Sequence, residues 1–81
     1  MNLCPEQCRA ARGLLNWTQD ELATSAGVSR STVRDFECQR HELQRTSEAL
    51  VVAALEAAGV QFLPGNREGP GVRLRRLAAR A

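Results

Sequence analysis

Two helix starts and one glycine stop, set close together in residues 18–37 (Thr-Gln-Asp-Glu-Leu-Ala-Thr-Ser-Ala-Gly-Val-Ser-Arg-Ser-Thr-Val-Arg-Asp-Phe-Glu), leave this chain little freedom in how it folds. Thr18 followed three residues later by Glu21 is a capping box: the Thr18 hydroxyl accepts from the Glu21 backbone N–H, and the Glu21 carboxylate accepts from the Thr18 N–H. A helix therefore begins there. Gly27 ends it, because glycine takes a positive φ without a Cβ clash, and Ser29 is a good N-cap for a second helix, 29–37. So short a link forces a steep crossing, in which Leu22, Ala23 and Ala26 must meet Val28, Val33 and Phe36. The stretch reads as a helix-turn-helix.

The outward face of the second helix follows from the same period. With Val33 and Phe36 turned inward, Arg30, Ser31 and Arg34 face solvent, and Thr32 and Asp35 lie at the margin. This is a short polar comb carrying two guanidinium groups. Arg suits bidentate contact with guanine O6 and N7 in a DNA major groove, and Ser or Thr suits contacts with bases or phosphates. A polar helix face is ordinarily just a solvated face. A capped companion helix, a glycine turn and a basic comb in one stretch favour the nucleic-acid reading instead.

In these residues the chain resembles the Cro and phage-repressor type of helix-turn-helix regulator, often called XRE. The resemblance runs from Ala10-Ala-Arg-Gly-Leu-Leu-Asn-Trp-Thr-Gln-Asp-Glu-Leu-Ala, through Ala26-Gly-Val-Ser-Arg-Ser-Thr-Val-Arg-Asp-Phe-Glu, to Arg45-Thr-Ser-Glu-Ala-Leu. Its specific parts are Thr18-Gln19, Leu22-Ala23, Ala26-Gly-Val-Ser29 and Phe36-Glu37. In that family the Gln opening the first motif helix touches DNA backbone, and the start and outward face of the next helix read bases. The resemblance thus implies base reading by Arg30, Ser31 and Arg34 and backbone contact by Gln19; Thr32, at the margin of the same face, is expected to read bases with them, and the cap residues Thr18 and Ser29 to contact backbone. One departure stands out: the family commonly has a Gly shortly after Phe-Glu, whereas Cys38, Gln39 and Arg40 follow here. A different exit from the recognition helix is expected.

Before the motif, Met1 to Leu3 read as a loose start and Pro5 as a first helical residue, where its missing N–H costs nothing. The first helix is expected from 5 to 14 or 15, with Cys8, Ala11 and Leu15 inward, Leu14 flanking, and Arg9 and Arg12 elsewhere on the surface. Asn16 suits the left-handed residue that closes it. Trp17 then serves as a staple against the next helix. After the motif, residues 38–45 read as a polar loop plugged by Leu43, with Arg40 and Arg45 placed to touch phosphates on either side of the groove. The following helix is expected to be capped by Thr46 or Ser47 and to end at Gly59, with Glu48 favouring its N-terminus and an apolar stripe of Leu50, Val51, Ala54, Leu55 and Ala58.

Residues 60–77 change period. Val60-Gln-Phe-Leu and Val72-Arg-Leu-Arg each alternate, and the Pro- and Gly-rich run between them is a turn, so two strands are expected. Phe62 would share a face with Val60, and Val72 and Leu74 another, with Arg73 and Arg75 opposite. Two strands alone are marginal in water and must lie on the helices or be completed by another chain. The fold expected is mostly α: a lambda-repressor-like helix-turn-helix bundle of four to five short helices with a C-terminal β-hairpin or strand pair. Residues 1–59 would form the DNA-binding domain, 60–77 a strand pair serving dimerisation, and 78–81 a frayed tail.

Charge matters through its placement. The net charge is only +2, but all eleven basic residues are Arg, four of them within 30–45 and five within 67–81 against one acid. Such local excess binds phosphate even when the total is small. There is neither a run of about eighteen apolar residues nor a secretion-signal pattern, so a cytoplasmic chain with no membrane partner is expected. Cys4, Cys8, Cys38 and His41 are zinc ligand types, but the paired Cys-x-x-Cys that secures such an assignment is missing, so no metal or other cofactor is expected. A lone His41, no acidic pair and no Gly-rich phosphate loop argue against an enzyme. The partners expected are double-stranded DNA and a second copy of the chain. A protein-interaction module, antitoxin-like or adaptor, with DNA binding secondary or absent, is the alternative.

Overall fold

A computed structural model describes residues 2–65 and 67–75; Met1 and the expected tail at 78–81, with the end of the strand segment at 76–77, lie outside the described residues. The described chain forms four α-helices and an antiparallel strand pair, in the order α1 (Pro5–Leu15), α2 (Gln19–Ala26), α3 (Arg30–Glu37), α4 (Arg45–Ala57), β1 (Val60–Leu63) and β2 (Gly71–Leu74). It is a mostly α helix-turn-helix bundle with a C-terminal hairpin. Helices as short as α2 and α3 do not hold in water by themselves, so packing must fix them. α2 packs against both α3 and α4, while α1 packs against α3 and the hairpin.

The core is built from inward positions of every element. Cys8 and Ala11 of α1, Leu22 of α2, Val33 of α3, Val51 and Leu55 of α4, and Val60 of β1 are almost fully buried. Each large aliphatic side chain among them contributes about 1.5–3 kcal/mol relative to exposure. The hairpin closes this core. Its register pairs Val60 with Leu74 and Phe62 with Val72. All four apolar residues therefore share one sheet face instead of two, and Phe62 and Val72 rest on the helices. On the other face Arg73 Nε donates to Gln61 Oε1 at 2.8 Å. Gln7, buried in α1, donates through Nε2 to Gly71 O at 3.2 Å and ties the first helix to the last strand.

Several local expectations are corrected. Leu3 is not loose: it is buried, and its N–H donates to Glu48 Oε2 at 2.7 Å. That carboxylate, free of any local cap, reaches back to anchor the N-terminal segment. α4 starts earlier than Thr46 or Ser47, with Gln44 as an extended N-cap whose carbonyl accepts from the Glu48 N–H at 2.8 Å. Arg45 is consequently in the first turn of α4 and not in a loop. Leu50 is 48 % exposed, because α4 turns the Val51 and Leu55 row inward and Leu50 precedes it by about 100° of helix rotation.

Three helices end in the same way. Asn16 (φ 58°), Gly27 (φ 74°) and Gln39 (φ 63°) are left-handed, and the N–H one residue further on reaches back into the last turn. Trp17 N bonds Arg12 O at 2.9 Å, Val28 N bonds Ala23 O at 3.1 Å, and Arg40 N bonds Asp35 O at 2.8 Å. These are Schellman exits. At the exit after Phe36-Glu37, Gln39 takes the left-handed conformation that glycine would hold more easily.

Candidate nucleic-acid interface

The motif's geometry is set by its caps. Thr18 Oγ1 accepts from Glu21 N at 3.0 Å, and Thr18 N donates to Glu21 Oε1 at 2.8 Å, so the capping box is complete. Ser29 Oγ accepts from Thr32 N at 3.1 Å and opens α3. Between them the Gly27 turn brings Leu22, Ala23 and Ala26 onto Val33 and Phe36, all buried, with Val28 and Trp17 packed at the edge. With that face buried, α3 must turn its polar side outward.

On that side Arg30, Ser31 and Arg34 are exposed, and Thr32 and Asp35 are half-buried. The hydroxyls of Ser29, Ser31 and Thr32 form a cluster, at 3.1 Å from Ser29 Oγ to Ser31 Oγ and 2.7 Å to Thr32 Oγ1. Arg30 Nε lies 3.4 Å from Asp20 Oδ1 of α2, and Arg34 Nε 3.2 Å from Asp35 Oδ1. Both pairs are open to water and hold their guanidinium groups weakly, so a phosphate or a base edge can compete for them. Arg40, within the α3–α4 connection, and Arg45, the first residue of α4, are both exposed. A cleft beside the comb is lined by Ser31, Thr32, Asp35, His41, Glu42, Gln44 and Ser47. Gln19, the first residue of α2, is half-buried at the edge of this surface.

Behind the surface sits a charged group that the sequence reading passed over. Glu37, the last residue of α3, has a side chain only 2 % exposed. Its Oε1 accepts from Arg12 Nη2 at 2.6 Å and from Gln19 Nε2 at 3.0 Å. Its Oε2 accepts from Arg12 Nε at 2.8 Å and from Cys8 Sγ at 3.0 Å. The guanidinium of Arg12 also donates to Trp17 O at 3.0 Å, and Arg9 Nη1 donates to the Glu37 carbonyl. Arg12 is therefore not a surface arginine. One carboxylate joins α1, α2 and α3.

The electrostatics of this cluster are consistent. Burial pushes the Glu37 pKa up, but hydrogen bonds from Arg12, Gln19 and Cys8, with the charge of Arg12, outweigh it and hold the carboxyl below its usual range. The hydrogen bond to Glu37 raises the pKa of Arg12 against the opposing effect of burial. Burial, reinforced by Glu37, pushes the Cys8 thiol well above its ordinary value, so it stays protonated and donates. A signal for this cluster was present in the helical period. Glu37 follows Val33 by four residues and so falls on the inward face of α3, and Arg12 follows Cys8 by four on the inward side of α1. A buried carboxylate requires such a partner.

Among the described residues, no group of three or more His, Cys, Asp or Glu side chains is placed to hold a metal ion, and no helix is long and apolar enough to cross a membrane. Residues 9–37, from within α1 to the end of α3, match the family model described as helix-turn-helix. No curated protein matches the chain.

Proposed function

We propose that this chain, whose residues 9–37 match a family model described as helix-turn-helix, is a cytoplasmic transcriptional regulator of Cro and phage-repressor type that recognises a specific sequence in double-stranded DNA. The observation that carries this reading is the exposed comb of Arg30, Ser31 and Arg34 on a helix whose other face is fixed by the capped helix before it. Arg30, Ser31, Thr32 and Arg34 enter the major groove and read base edges. Thr18, Gln19, Ser29, Arg40 and Arg45 contact the DNA backbone and set the register. The protein acts as a two-fold dimer, with half-sites about one helical turn, roughly 34 Å, apart.

Selection of bound sequences from a random DNA pool tests the proposal. The result expected is a short palindromic motif, bound with an affinity that falls steeply with salt. Recovery of unselected sequence refutes base reading, and a single asymmetric half-site with a monomer in sedimentation refutes the dimer. A second reading, an interaction module for another protein, draws support from the exposed Leu50 on α4. Stoichiometric recovery of a protein partner together with salt-insensitive or absent DNA binding favours it.

A further inference from the structure

Gln19 and Glu37 close the motif's two ends on each other, since Gln19 opens α2 and Glu37 ends α3. We propose that Glu37 is a positioning residue for DNA binding: its buried carboxylate takes one amide N–H of Gln19 and so aims the other at a DNA phosphate, without itself touching DNA. The inference rests on the DNA-binding reading above.

The argument is one of donors and acceptors. An ionised carboxylate only accepts hydrogen bonds, so Gln19 must turn its nitrogen, not its oxygen, toward Glu37. That settles which way round the amide sits. The same nitrogen carries a second N–H, and among the described hydrogen bonds it has no protein partner. A phosphate oxygen is the acceptor it suits, whereas a flipped amide would present its own oxygen to the phosphate and repel it. Glu37 cannot swing to follow Gln19, because Arg12 grips both of its oxygens at 2.6 and 2.8 Å and Cys8 adds a donor to the second. Bidentate guanidinium pairing of this kind fixes the plane of the carboxylate. The α1 residues Cys8 and Arg12 thereby orient a side chain of α2 through the end of α3.

Glu37→Gln removes this control, because a carboxamide both donates and accepts and lets Gln19 sit either way round. The test is a pair of double-mutant cycles on DNA affinity, with each variant shown to be folded by circular dichroism at the assay temperature. In the wild-type background Gln19→Ala is expected to weaken binding about fivefold, the effect of one hydrogen bond. In the Glu37→Gln background the same change is expected to have almost no effect. Arg34→Ala, which does not touch Glu37, is expected to weaken binding by the same factor in both backgrounds. An equal loss from Gln19→Ala in the two backgrounds overturns the inference while leaving the DNA reading intact; a wild-type protein with no salt-dependent DNA binding overturns that reading, and the inference with it.

Should Glu37→Gln fail to fold, the side-chain amide signals of Gln19 in the wild-type protein decide the question by NMR. One proton slow to exchange and unmoved by DNA, with the other shifting on DNA addition, supports the inference. Two protons that behave alike overturn it.

Discussion

Arg12→Met is the most informative single change for the fold, because it withdraws a charge from a buried partner and keeps most of the side chain's bulk. Arg12 supplies two of the four described hydrogen bonds to the Glu37 carboxylate and, among the described residues, the one full positive charge that touches that carboxylate. Breaking a buried pair by removing one partner costs about 3–5 kcal/mol. Arg12 keeps 19 % of its side-chain surface exposed, so water can enter its place and the lower end, about 3 kcal/mol, is expected. A domain of 81 residues has a total stability of about 4–12 kcal/mol. The loss should therefore lower Tm by about 12–24 °C, at about 4–8 °C per kcal/mol for a domain of this size.

The pH dependence separates this mechanism from lost packing. In the wild type Glu37 titrates below its unfolded value of about 4.3. Its contribution is complete above that pH and disappears as pH falls through the folded pKa. Without Arg12, burial dominates and Glu37 takes up a proton more readily, which relieves the unpaired charge. The gap between wild type and variant should be widest near pH 7 and narrow toward pH 4. Replacing both partners, Arg12→Met with Glu37→Leu, should recover a large part of the loss at pH 7. Urea unfolding followed by circular dichroism at the two pH values measures all of this. A gap of the same size at both, or under about 1 kcal/mol at pH 7, would show that the ion pair does not hold α1 to α3.

Three further outcomes are expected. Arg34→Ala should cost about 1–3 kcal/mol of DNA binding and relax preference at one base position, whereas Arg40→Ala should weaken all sequences alike and reduce the salt slope by about 1; indistinguishable binding profiles for the two contradict their division of roles. Gly27→Ala should destabilise the domain by about 1–2 kcal/mol through backbone strain alone, since a Cβ there meets nothing within 4 Å and the positive φ is the whole difficulty. Gln39→Gly should stabilise by about 0.5–1 kcal/mol, because the relief of a left-handed non-glycine residue exceeds the entropy that glycine adds to the unfolded chain. A lower urea midpoint at an unchanged slope would contradict that sign.

What the sequence made legible was mostly local. The Thr18–Glu21 box, the Gly27 stop and the Ser29 cap each act within four residues, and all three are present as read. The limits of α1 and the strand pair followed from period and turn chemistry. The misreadings arose where a distant residue decides. Leu3 is held by burial in the core and by Glu48, far along the chain, which accepts its N–H. Arg12 read as a surface residue and Glu37 only as part of the Phe36-Glu37 motif, and it is the crossing of α1 and α3 that makes them a pair. Gln39 eluded the reading because glutamine carries little preference for the left-handed region; the helix exit imposed it.

The clasp between Gln7 and Gly71 bears on how the protein is made. α1 is synthesised first, yet the surface it rests on includes β2, which leaves the ribosome only after every other described element. α3 can cover part of the first helix early, but the part of its inner side that β2 covers stays unprotected until nearly the whole described chain is available. Acquisition of the native state should be a late, concerted event and not a stepwise one, and a nascent chain halted before residue 71 should remain open to protease along α1.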